Sequence, residues 1–475
     1  MKLFLQFSNV EDILNMQRTR SLLLALLAVT LVVALVAAPS RDTKTVQAQE
    51  SGTLLEVAAD AGNFTTLLAA VEAAGLTETL NGEGPFTIFA PSDEVFAVLP
   101  AETVAALLAD PALLTSILTY HVVPGNLLAA DVVALDGQQA ATVQGEGINV
   151  AVVDDAVVLD GNAKVVTADL TASNGVIHAI DGILVPLADV DPLLTEGDIV
   201  TAGSSTVFPL STAVAEAFEA SGYIGTLTVD SVGTGAGFER FCLNGETDIS
   251  NASRAIKQEE IDNCTNIGRT AIEFRVGTDA LAVVVNPALE CVADLTIEQL
   301  NLIYSATVTN WSEINPACGD VAISLFSPGT DSGTFDYFVE EVFEADDAPI
   351  IGANPQFSED DNVLVQGVEG NPGGIGYFGY AYYVANAGAL KILNIEGVEP
   401  TAITAEDGAY PLARPLYIYS AAEILAEKAQ VADFISFYLT NVDDIIGVVG
   451  YFPASNATLS VAKLNLYVAL YAAMM

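Results

Sequence analysis

Four times between residues 199 and 335 an apolar run stops at a cluster of glycine and hydroxyl residues, and a helical pattern begins directly afterwards. In the first instance Ile199-Val200-Thr201 has the composition of a buried strand, and Gly203, Ser204, Ser205 and Thr206 follow it. Leu210, Val214, Ala217 and Phe218 then recur at helical spacing, with Pro209 suited to a first turn and Gly222 to the stop. The second instance follows the alternating strand Thr226 to Val232, where Gly233-Thr234-Gly235-Ala236-Gly237 opens a helix near Phe238. The third follows Asp248-Ile249 with Ser250-Asn251-Ala252-Ser253-Arg254. The fourth follows Val321 to Phe326, where Ser327-Pro328-Gly329-Thr330-Asp331-Ser332-Gly333-Thr334 leads into Phe335, Phe338, Val339 and Val342. Strand, polar turn and helix in repetition specify an α/β fold, in which ligands sit outside the carboxyl ends of strands.

A helix start leaves N–H groups without partners, and glycine lets the backbone approach a ligand, so each turn is an anion site in miniature. Serine and threonine also cap ordinary helices, so one such turn says little and the recurrence carries the argument. Together the turns offer neutral N–H and O–H donors and one guanidinium. No nucleophile stands beside a base: the two histidines are His121 and His178, none follows residue 182, and no metal-ligand cluster is in view. Such a site holds an anion and releases it unchanged, and calls for no cofactor.

The motifs AGSSTVFP, GTGAGF, DISNASRAI and SPGTDSGTF, with NPGGIGYFGYAY at residues 371 to 382, resemble the PstS-type phosphate-binding proteins of ABC phosphate uptake. The resemblance implies a two-lobed type II periplasmic-binding-protein fold from residue 198 to 475, with inorganic phosphate between the lobes and an ABC permease as partner. The lobes would be about 198–282 with 384–475, and about 283–383. Carried over residue by residue, the ligands would be Ser204, Ser205, Thr206, Thr234, Ser253, Arg254, Ser332, Gly333 and Thr334. Two departures matter: many relatives have an arginine ahead of the SGT turn, where this chain has Phe326-Ser327-Pro328-Gly329, and others have aspartate where Ser253 stands. Arg254 is therefore expected to be the single charged donor, gripping the anion bidentately. Asp331 offers an acceptor for the proton that phosphate carries and sulfate lacks; it is equally placed to pair with Arg254 or to cap the helix.

The rest of the chain sets the context. Net charge is -46, and after the first 49 residues only ten Lys or Arg remain, one of them before residue 240, which excludes nucleic acid as a partner. Arg18 and Arg20 precede an apolar run from Leu22 to Ala38, and Val46-Gln47-Ala48 offers a cleavage site, so residues 1–48 read as a signal peptide or membrane anchor. Both readings place the remainder outside the cytoplasm. Cys242, Cys264, Cys291 and Cys318 then favour two disulfides, and pairing Cys242 with Cys264 and Cys291 with Cys318 closes short local loops.

Residues 52–187 form a separate unit. FTIFAPSDEVF, LTYHVVPG and NGVIHAIDGILVP, in this order, resemble the fasciclin (FAS1) domain, which implies an α/β wedge used in surface adhesion and matrix contact, without catalysis. His121 and His178 fall in these motifs and read as buried hydrogen-bonding residues. A linker is expected at 188–197, and the mixed apolar pattern after Ala454 reads as a final helix on the first lobe. Three alternatives stay open: an adhesin with a scaffold second unit, an extracellular phosphatase, and a receptor for another oxyanion.

Overall fold

A computed structural model of the chain describes residues 52–187, 196–330, 332–358 and 360–474. The expected signal segment, most of the expected linker and Asp331 lie outside the described residues. In the first domain a sheet runs Val122–Pro124, Phe86–Pro91, Gly175–Ile180, Ala163–Ala172, Ala156–Leu159, Gly147–Val153, Gln138–Ala141. Phe86–Pro91 and Gly175–Ile180 pair in parallel and the other pairs are antiparallel. Gly175–Ile180 is buried along its whole length, because helices cover it on one side and the hairpins fold over the other. Both histidines are hydrogen-bonded inside this domain. His121 has Nδ1 2.8 Å from Ile117 O and accepts from Leu184 N at Nε2 at 2.9 Å; His178 Nε2 lies 2.8 Å from Leu127 O.

The second domain carries a sheet that runs Gln356–Ser358, Ser324–Pro328, Gly374–Gly379, Ala271–Val285, Ala413–Ala421, Ile249–Ala252, Ile199–Gly203, Leu227–Ser231. Ala271–Val285 passes through both lobes. Its first part, to Ala280, pairs with Ala413–Ala421, and its second, from Leu281, pairs with Gly374–Gly379. Two cores flank this crossing. One gathers residues from Ile199 to Val276 and from Leu416 to Ala469; the other gathers residues from Ala280 to Leu412.

The return crossing thus lies between Leu412 and Leu416, not near residue 384 as expected. Leu393, Ile395, Tyr410 and Leu412 are fully or almost fully buried in the second core. Short pairings of Lys391–Ile392 with Val284–Val285, and of Asn394–Ile395 with Asp294–Leu295, hold that segment on lobe 2. Disulfides join Cys242 to Cys264 and Cys291 to Cys318, one in each lobe, as the local loops imply.

The final helix, Asn456–Met474, departs from the expectation of a helix on lobe 1 alone. Leu459, Ala462, Leu466 and Ala469 enter the lobe 1 core, while Leu464 enters the fasciclin core. A helix apolar on every side needs cover on every side, and two domains supply it. Polar groups fix the seat: Asn162 Nδ2 and Ile183 N both donate to Ser460 Oγ, at 3.1 and 2.9 Å. Lys463 is 4% exposed, and its Nζ donates to Asp160 O at 2.9 Å and Asn162 Oδ1 at 2.7 Å. Burial lowers that ammonium to about 8.

Candidate functional site

Ile199–Gly203 lies between Ile249–Ala252 and Leu227–Ser231 and is parallel to both, so three carboxyl ends sit side by side. The turns that follow them are stitched together. Ser204 N donates to Asn251 O at 2.9 Å, and Val232 N and Gly233 N both donate to Gly203 O at 2.9 Å. Ser253 N donates to Thr234 Oγ1 at 3.3 Å, and the two hydroxyls lie 3.1 Å apart. Glycine is required at the centre: Gly203 has φ +151°, and a Cβ there would fall 2.0 Å from Asn251 O. A Cβ on Gly237 would fall 2.6 Å from Gly203 Cα, so the second turn closes on the first only without side chains.

Ser204, Ser205, Thr206, Thr234, Ser253 and Arg254 line one cleft of about 560 Å³. The fourth turn comes from lobe 2. Ser332 caps its own helix, Gly333–Phe343, by accepting from Thr334 N. Gly333 carries this turn against the first: a Cβ on it would lie 3.3 Å from Ser205 Oγ and 3.5 Å from Thr206 N. Ser332, Gly333 and Thr334 are not among the residues that line the cleft. Facing the lobe 1 turns from the same helix are Tyr337 and the exposed carboxylates Asp336, Glu340 and Glu341.

The expectation of one guanidinium gripping an anion through its fork does not hold for Arg254. Its Nη1 and Nη2 donate to Glu260 Oε2 and Oε1 at 2.9 and 2.7 Å, and its Cζ lies 5.4 Å from the Phe238 ring centre. Although burial raises it, the Glu260 carboxyl is held below its ordinary value by that fork. The fork is occupied because Glu260 stands in the first turn of the next helix, Gln258–Asn266, within reach of Arg254.

A second guanidinium lines the cleft, and the turn motifs gave no sign of it. Arg414 is 8% exposed. Its Nε donates to Asp279 Oδ2 at 3.1 Å, its Nη2 donates to Gly333 O at 3.0 Å, and its Cζ lies 3.9 Å from the Tyr337 ring centre. Asp279 and Arg414 are register partners in the two strands that cross between the lobes. Burial raises the Asp279 carboxyl, against the pull of the guanidinium. The sequence does hold a signal for Arg414: it is the one charge in the otherwise apolar strand Ala413–Ala421, and a charge inside a buried strand needs a partner, whereas Asp279 shares its strand with Glu273 and Arg275.

Comparison with known proteins agrees with both domains. The family model for the PBP superfamily domain matches residues 189–442, and that for the Fasciclin domain matches residues 62–186. Protein SphX of Synechococcus elongatus is 42% identical over 288 residues, covering 58% of this chain and 83% of its own. Phosphate-binding protein PstS of Staphylococcus saprophyticus is 39% identical over 249 residues, covering 51% and 76% respectively. A crystal structure described as a possible phosphate binding protein from Planctomyces limnophilus superposes with a TM-score of 0.54 at 40% identity, covering 58% of this chain and 99% of that one.

Proposed function

Because the chain belongs to the PBP superfamily and carries a fasciclin domain ahead of the receptor fold, we propose that it binds inorganic phosphate outside the cytoplasm and delivers it to the permease of an ABC importer. One observation carries the reading. Three parallel strands end side by side in hydroxyl- and glycine-rich turns around one cleft, and a fourth turn from the other lobe closes against them. Donors gathered from separate strands suit a small oxyanion with an oxygen on every side. The name of the Staphylococcus relative supports a binding protein over an enzyme and names the anion. The two disulfides and the apolar run from Leu22 to Ala38 support an extracytoplasmic place.

In this reading Ser204, Ser205, Thr206, Thr234 and Ser253 donate from lobe 1, and the turn at Ser332, Gly333 and Thr334 closes against them from lobe 2. Calorimetric titration of the full chain with phosphate is the test. Thr234→Ala removes one hydrogen bond to a charged ligand, about 1.5 to 3 kcal/mol, and is expected to weaken binding about 10- to 100-fold. No phosphate binding by the wild type, or equal binding of sulfate, would overturn the assignment. The fasciclin domain is proposed to hold the receptor at the cell surface through a surface polymer. Retention of the purified protein on envelope material measures this, and free elution with buffer would refute it.

A further inference from the structure

The geometry points to Arg414 as the cation that a bound oxyanion meets and, through the same side chain, as the latch that draws lobe 2 onto lobe 1; this rests on the receptor reading above. Arg414 stands on one of the two strands that cross between the lobes and faces Asp279 on the other. It shares the cleft with Ser205, Thr206 and Thr234 of lobe 1, while its Nη2 donates to Gly333 O at the first residue of the lobe 2 helix. A guanidinium has five N–H donors in a rigid plane. Asp279 and Gly333 take one each, and among the described residues no group accepts from Nη1. Stacking over Tyr337, also from lobe 2, holds the plane in place. The side chain thus touches the hinge, the incoming helix and the ligand space together.

Asp279 is the positioning residue of the pair. It fixes the guanidinium at 3.1 Å and offsets its charge, as Glu260 offsets that of Arg254. An anion entering the cleft therefore meets donors but no uncompensated cation, and exposed carboxylates stand on the opposite rim. That arrangement weakens the pull on any dianion, and only the rim carboxylates, which can accept a proton, distinguish an oxyanion that still carries one.

Calorimetry with inorganic phosphate and with sulfate on the full chain, joined to small-angle scattering with and without phosphate, tests the inference. Arg414→Lys keeps a charge for Asp279 and so keeps the fold. One ammonium cannot serve Asp279, Gly333 O and the anion in three fixed directions, so phosphate affinity is expected to fall about 10-fold or more and the compaction on binding to shrink. The double variant Arg414→Gln/Asp279→Asn, which leaves no unpaired buried charge, is expected to fall about 100-fold. Asp279→Asn alone frees the arginine charge and is expected to tighten phosphate and sulfate alike, by about 10-fold. Phosphate affinity within twofold of wild type in both arginine variants would overturn the role of Arg414 while leaving the receptor reading intact. Unchanged affinity for both anions in Asp279→Asn would overturn the charge-offset role. Wild-type protein that binds no phosphate would sink the receptor reading itself.

Discussion

At His121 the ring is buried between Ile117 O and Leu184 N–H, and burial lowers it to about 4. Asp443, half-buried near Lys463, is the converse case: burial raises it to about 6, and its Oδ1 has no hydrogen-bond partner among the described residues. The signs oppose each other. His121 binds its proton more weakly folded than unfolded, so its contribution is complete above about pH 6.5 and is lost as pH falls toward 4. Asp443 binds its proton more tightly folded, so its contribution is complete below about pH 4 and is lost as pH rises through 6. Asp443→Asn removes only the second effect. Urea unfolding of this variant is expected to match wild type near pH 4 and to exceed it by about 3 kcal/mol above pH 6.5; the same difference at both pH values would contradict the account. The histidines were legible as structural residues because apolar neighbours flank both. The partners of the arginines were not, since helix direction decides that Glu260 reaches Arg254, and strand register decides that Asp279 reaches Arg414.

Among elements, the strand-turn-helix units were legible because each is local: glycine, hydroxyl and proline positions mark where one structure stops and the next starts. That three of the turns meet follows from strand order, which the apolar runs alone do not encode. The lobe boundary near residue 384 failed for a related reason. Residues 389 to 412 mix polar and apolar positions in a way that suits either lobe, and only pairing with Val284–Val285 and Asp294–Leu295 assigns them to lobe 2. Hydrophobic composition shows that a segment is buried, not against what. The final helix repeats the lesson, with Leu464 and Leu466 two residues apart and in the cores of different domains.

For the whole molecule, that helix sets how the chain melts. Ser460, Lys463, Asn465 and Tyr467 bond to Asn162, Asp160, Thr103 and Ser116 of the fasciclin domain, and the apolar side chains between them serve lobe 1 as well. Removing either neighbour would leave an apolar helix face without cover, and removing the fasciclin domain would also take the acceptors from the Lys463 ammonium. Scanning calorimetry of the full chain is therefore expected to show the fasciclin domain and lobe 1 unfolding in one transition, and deletion of residues 52–187 to lower its midpoint by several degrees. Two resolved transitions, with the receptor's unchanged by the deletion, would show the domains to be independent.

Ser460 is synthesised 298 residues after the Asn162 it bonds. Emerging from a ribosome or an export channel, the first domain must therefore wait, its seam open to solvent, until nearly the whole receptor has followed. Chaperone demand during biogenesis should peak in that interval and end when the helix arrives.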